Sequence, residues 1–65
     1  MSEQVISPLL RRPEVERRTG LSRTTIYRLM DENKFPRPRR IGVRAVAWQQ
    51  HEIDAWQASR PFTHQ

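Results

Sequence analysis

Cysteine is absent from this 65-residue chain, which excludes disulfides, thiolate metal sites and thiol nucleophiles together. Glycine occurs only twice, at Gly20 and Gly42, so there is no glycine-rich loop of the kind that cradles a nucleotide phosphate. Two histidines, His51 and His64, are too few for a usual structural zinc site. No apolar run is long enough to cross a bilayer, and the amino terminus lacks the basic-then-apolar pattern of a secretory signal. A chain of this length holds one domain at most and buries only about 60% of the surface its unfolded form exposes. A large enzyme fold is thereby excluded, and the expectation is a cytoplasmic protein with no membrane partner.

Lysine is nearly missing too. Of twelve basic residues, Lys34 is the one that is not arginine, and seven acids leave a formal charge of +5. Arginine presents a planar fork of donors that matches phosphates and guanine edges, so this choice points to a nucleic-acid surface. The charge is also unevenly placed. Residues 1 to 33 sum to +1 and residues 45 to 65 to −1, while Lys34, Arg37, Arg39, Arg40 and Arg44 give residues 34 to 44 a sum of +5 with no acid. Pro36, Pro38 and Gly42 interrupt that stretch, so it is expected to project as a turn rather than continue a helix.

Local signals divide the chain into a tail over 1–8, an ordered domain over 9–60 and a second tail over 61–65. Leu9 and Leu10 are the first candidate core contacts. Pro13 suits a helix start, Glu14 and Glu16 favour the first turn, Arg17 and Arg18 favour the last, and Gly20 provides a left-handed stop. These predict a short helix over 13–19. Ser22 stands where an N-cap hydroxyl is wanted, and a second helix is predicted over 22–33. Ile26, Leu29, Met30 and Asn33 fall on one side of it, Thr24, Arg28 and Asp31 on the other, and Tyr27 on a flank. Asn33 is suited to a left-handed stop.

The segment Phe35-Pro36-Arg37-Pro38 cannot be helical. A hairpin is expected next, with Gly42 opening a two-residue type II′ turn. In its second strand Val46 and Trp48 share one face, leaving Ala45 and Ala47 on the other. Simple alternation would point Arg39 inward, so either the strand starts after it or its head snorkels out. A third helix is predicted over 49–59, with Ile53 and Trp56 on one face. Both tryptophans read as core anchors rather than base-stacking platforms, and His51 as a solvated residue on the first turn of that helix. Glu52 and Asp54 are two apart on a helix and do not face each other, and there is no nucleophile–base pair, so enzymatic activity and cofactors are not expected.

The fold class that results is mainly α with a small β-hairpin: helix, three-residue turn, helix, wing, helix, a winged helix-turn-helix. In the DNA-binding form of this motif the second helix enters the major groove and its amino-terminal residues reach base edges. Here Arg23, Thr24, Thr25, Tyr27 and Arg28 occupy that position, and Arg39, Arg40 and Arg44 form the basic wing, placed for the backbone or a narrow minor groove.

The segments "TGLSRTTIYRLM", "FPRPRRIGVRAVAW" and "HEIDAW" together resemble the AlpA family of small prophage regulators, whose relatives include MerR-like and excisionase-type winged helix-turn-helix proteins. The resemblance runs from about residue 9 to about residue 58. It implies a bacterial or phage protein of the nucleoid that binds double-stranded DNA to regulate transcription, with Arg23, Thr24, Thr25, Tyr27 and Arg28 on the recognition helix and Arg44 on the wing. Asn33, Val43 and Arg39 depart from the usual pattern, at positions where glycine, a small turn residue and an apolar residue are common. An excisionase-like factor that bends DNA is the alternative the same fold allows. A non-enzymatic protein-interaction module that offers its arginines to an acidic partner is the more distant one. Self-association on adjacent DNA sites, and contact with an integrase or RNA polymerase, are left open. The chain has no heptad stretch after the third helix for a long coiled coil.

Overall fold

The computed structural model describes residues 7–62. Residues 1–6 and 63–65, and with them most of both expected tails and His64, lie outside the described residues. The element order is β1 (Leu9–Leu10), α1 (Arg12–Thr19), α2 (Arg23–Asp31), β2 (Arg39–Arg40), β3 (Val46–Gln49) and α3 (Gln50–Ala58). This is the winged helix-turn-helix, with one addition: β1 joins the wing strands, making an antiparallel sheet in the order β1-β3-β2.

Local chemistry accounts for the helix ends. Arg12 opens α1 one residue before the expected start, so Pro13 takes the second position, where its missing N–H is equally harmless. The helix closes on Gly20, which adopts φ 75° and donates its N–H to Glu16 O at 2.8 Å. Ser22 caps α2, its hydroxyl accepting from the Thr25 N–H at 3.2 Å. At the other end Asn33 adopts φ 59°. The Asn33 N–H reaches Met30 O at 3.0 Å and the Lys34 N–H reaches Leu29 O at 2.8 Å, the paired bonds of a Schellman stop. Helix α2 therefore ends at Asp31, two residues earlier than expected, because Asn33 is the turn rather than the last helical residue.

Leu10, Val15, Ile26, Phe35, Trp48 and Ile53 form the core, with Leu21, Leu29, Met30, Val46 and Trp56 packed around it. Trp48 is wholly buried, and its indole N–H donates to Pro36 O at 2.9 Å. The Trp56 indole N–H donates to Lys34 O at 2.7 Å, and the Trp56 ring meets Phe35 edge-on at 4.8 Å between centroids. The proline-rich segment between α2 and the wing is thus held at two carbonyls, a substitute for the secondary structure that Pro36 and Pro38 forbid.

Three sequence expectations need correction. The wing does not turn through two residues. Arg40 pairs with Val46 and the Ile41 N–H reaches Ala45 O at 2.8 Å, so Gly42, Val43 and Arg44 form a three-residue loop. Gly20 is the glycine with positive φ, so Gly42 does not open a type II′ turn, whose first central residue requires that sign. Second, Arg39 does not point inward as simple alternation would have it. It belongs to β2, so the strand does not start after it, and its head is out, the guanidinium donating to Gln49 Oε1 at 3.3 Å, which is the second of the two alternatives. Third, His51 is half-buried and engaged: Ser7 Oγ lies 3.0 Å from its Nδ1. Next to it the Gln50 N–H donates to Pro8 O at 2.9 Å, so Ser7 and Pro8 are bonded to the start of α3. Ala47 is wholly buried like Trp48, which means both faces of β3 are covered there.

Because the two indoles hold the wing, the Trp48 substitutions are informative. Trp48→Phe keeps most of the apolar contact but leaves Pro36 O unpaired and is expected to cost about 1–3 kcal/mol. Trp48→Ala is expected to cost about 3–5 kcal/mol, comparable with the entire stability of so small a domain. Urea unfolding followed by circular dichroism should show a lowered midpoint for the first and no cooperative transition for the second.

Candidate nucleic-acid interface

Capping by Ser22 sets the phase of α2 and so determines which side chains leave the core. Ile26 is buried, Leu29 and Met30 are half-buried, and Arg23, Thr24 and Arg28 are exposed on the other side. Thr25 and Tyr27 are half-buried on the flanks. Thr25 spends part of its hydrogen-bonding capacity within the cap, its hydroxyl accepting from Ser22 Oγ at 3.1 Å. The Arg23 guanidinium lies over the Tyr27 ring, 5.7 Å from its centroid, which limits the reach of both side chains. Arg28 lies 3.8 Å from Glu32, a loose exposed pair worth little in water.

The wing arginines do not act as one patch. Arg40 is opposite Val46 and Arg39 opposite Ala47, so the two leave the sheet on opposite faces. Arg39 extends along the strand to Gln49, while Arg40 donates to Val43 O at 3.4 Å and braces the wing loop. Arg44 turns back toward the body of the protein. It lines an open cleft of about 280 Å³ together with Arg11, Arg12, Pro13, Tyr27 and Val46. Of the eight site residues expected from the sequence, Tyr27 and Arg44 thus line this cleft, Arg23, Thr24 and Arg28 lie on the outer side of α2, Thr25 sits at the Ser22 cap, Arg40 braces the wing loop and Arg39 stands apart.

Arg11 and Arg12 were not among those expectations. Their local pattern reads as a helix start, and only the pairing of β1 with β3 brings that start beside the wing. Arg11 is exposed, while Arg12 is half-buried and donates to Glu16 at 2.9 Å. That hydrogen bond, aided by the nearby Tyr27 hydroxyl, raises the Arg12 pKa above its already high ordinary value, so its charge is fixed at any relevant pH.

The acids of α1 are consumed close to home. Glu14 accepts from both Arg17 and Arg18, and these bonds lower its pKa to about 2. Glu16 holds Arg12, and Glu32 lies between Arg28 and Lys34. Among the described residues no ion pair engages Arg11, Arg23, Arg39, Arg40 or Arg44. Arg37 and Arg60 also lack an acidic partner, but five of the seven arginines without one lie on the outer side of α2, the start of α1 and the wing. Among the described residues no helix is long and apolar enough to cross a membrane.

Over residues 8–61 the chain matches the family described as prophage CP4-57 regulatory protein (AlpA). It is 47% identical over 51 residues to the uncharacterized protein ORF88 of Enterobacteria phage P4, an alignment covering 78% of this chain and 58% of that protein. It is 38% identical over 58 residues to the DNA-binding transcriptional activator AlpA of Escherichia coli strain K12, covering 80% of this chain and 83% of the relative. The chain therefore spans less than two thirds of the phage protein and most of the bacterial one. With the matched region running from before β1 to beyond α3, this chain belongs to the AlpA family.

Proposed function

We propose that this protein is a sequence-specific, double-stranded DNA-binding transcriptional regulator of the AlpA type. The observation that carries the reading is the placement of an exposed α2 face bearing Arg23, Thr24 and Arg28 beside a wing whose arginines have no acidic partner. Nine residues make α2 about 13 Å long, well suited to a major groove about 12 Å wide. In this reading Arg23 or Arg28 forks onto a guanine edge, Thr24 and Thr25 meet a thymine methyl or a phosphate, and Tyr27 donates to a phosphate. Arg40 and Arg44 follow the backbone or a narrow minor groove, while Arg39 leaves the opposite face of β2, held by Gln49, and would reach only a phosphate beyond that edge. No step of this requires a cofactor or catalysis. The protein would act in the cytoplasm, at the nucleoid. One α2 contacts few base pairs, so copies bound at adjacent sites would supply the remaining specificity.

Two classes of arginine should behave differently. After selection of a preferred duplex from random DNA, Arg28→Ala is expected to cost about 1–3 kcal/mol on that duplex and to flatten the preference over a scrambled one. Arg40→Ala is expected to weaken both duplexes alike and to lower the slope of log affinity against log salt by about 0.9. Equal, sequence-independent losses from both variants would contradict this division of roles.

A second reading, a factor that bends DNA, rests on the wing loop. Val43 at its centre is 88% exposed and Ile41 is 44% exposed, an apolar tip between Arg40 and Arg44. Apolar side chains wedged into a minor groove unstack a base step and kink the duplex. Circular-permutation gels would show a bend that Val43→Ser reduces without abolishing binding; a bend that is absent, or unchanged in the variant, counts against this reading.

A further inference from the structure

Resting on the DNA-binding reading, we propose that the cleft between the start of α1, Tyr27 and the base of the wing clasps one backbone phosphodiester. Three arginines line it, Arg11, Arg12 and Arg44, together with Tyr27, Pro13 and Val46. Their arrangement is asymmetric. Arg12 is anchored by Glu16 at 2.9 Å, which fixes its position. Arg11 and Arg44 approach from opposite elements, the lead into α1 and the wing loop, and neither side chain has a hydrogen-bonded partner among the described residues. Two arginines without an acidic partner beside a common cleft suit a tetrahedral anion, which accepts bidentate bonds from guanidinium groups. A duplex backbone is the source of such an anion that also fits the exposed α2 face beside it.

The consequence concerns register. The cleft is built from three elements that meet only in the folded domain, so a phosphate held there fixes the recognition helix and the wing relative to the same backbone position. Affinity gained in this way carries no sequence information of its own, yet it determines which base pairs the outer side of α2 meets.

The test compares the full chain with an Arg11→Gln, Arg44→Gln double variant by fluorescence anisotropy, on a selected and a scrambled duplex, over a range of salt concentrations. Both side chains are exposed and uninvolved in the core, so an unchanged melting temperature confirms that the variant is folded. Two arginines on one phosphate are expected to lower the salt slope by about 0.9, with a roughly tenfold affinity loss near 0.1 M salt on both duplexes. An unchanged slope overturns the clasp alone, as does a fall of about 1.8, which would place the arginines on separate phosphates. Absence of duplex binding by the unaltered chain overturns the clasp and the reading beneath it together.

Discussion

Two indole N–H groups hold this domain in its working shape. The path from α2 to the wing runs through Phe35, Pro36, Arg37 and Pro38, a segment that cannot form helix and contributes no regular ladder before Arg39. Its carbonyls at Lys34 and Pro36 are instead taken by Trp56 and Trp48. Phe35 is buried between them in the core, edge-on to Trp56. The inner wing strand β3 is fixed by its pairing with β1 and the burial of Ala47 and Trp48, but the outer strand β2 is two residues long and lies at the edge of the sheet. Remove the indole anchors and the arginines of the wing lose their defined position relative to α2.

The same economy shapes the electrostatics. The domain is too small to bury charged groups, and among the described residues no buried side chain is polar or charged. Every arginine is therefore at or near the surface, and what distinguishes them is whether an acid lies within reach. Local pairs on α1 occupy Glu14 and Glu16, so most of the arginines left without an acid lie on α2, the start of α1 and the wing, with Arg37 and Arg60 outside that group. Charge segregation here follows from helical spacing, since i,i+3 and i,i+4 partners are always close, whereas a carboxylate partner for the wing would have to come from elsewhere in the chain.

Features governed by neighbouring residues were readable from the sequence. The caps at Ser22 and Gly20 and the left-handed Asn33 each depend on a few consecutive residues, and each is found in the structure. So too are the burial of Ile26, Trp48 and Ile53 and the exposure of Thr24 and Arg28. What was not readable depends on distant pairing. Two leucines carry no alternation to mark β1, which exists because Leu9 and Leu10 find Gln49 and Trp48 across the fold. The wing turn was misread because glycine suggested a positive φ that the register does not require. The surroundings of Arg11 and Arg12 are hidden from the sequence for a similar reason: their neighbours in the cleft, Tyr27 and Arg44, are distant along the chain.

The central claim is that the outer side of α2 and the wing form one surface for duplex DNA, held by a core that does not rearrange. Amide and indole chemical shifts of the isotope-labelled chain, followed on addition of a selected duplex, test it most directly. The account expects the largest changes at Arg23–Arg28, Arg11–Arg12 and Arg39–Arg44, with the Trp48 and Trp56 indole signals nearly still. Changes centred instead on the exposed face of α3 around Asp54 and Gln57, or a general shift of the indoles and core methyl groups, would contradict it.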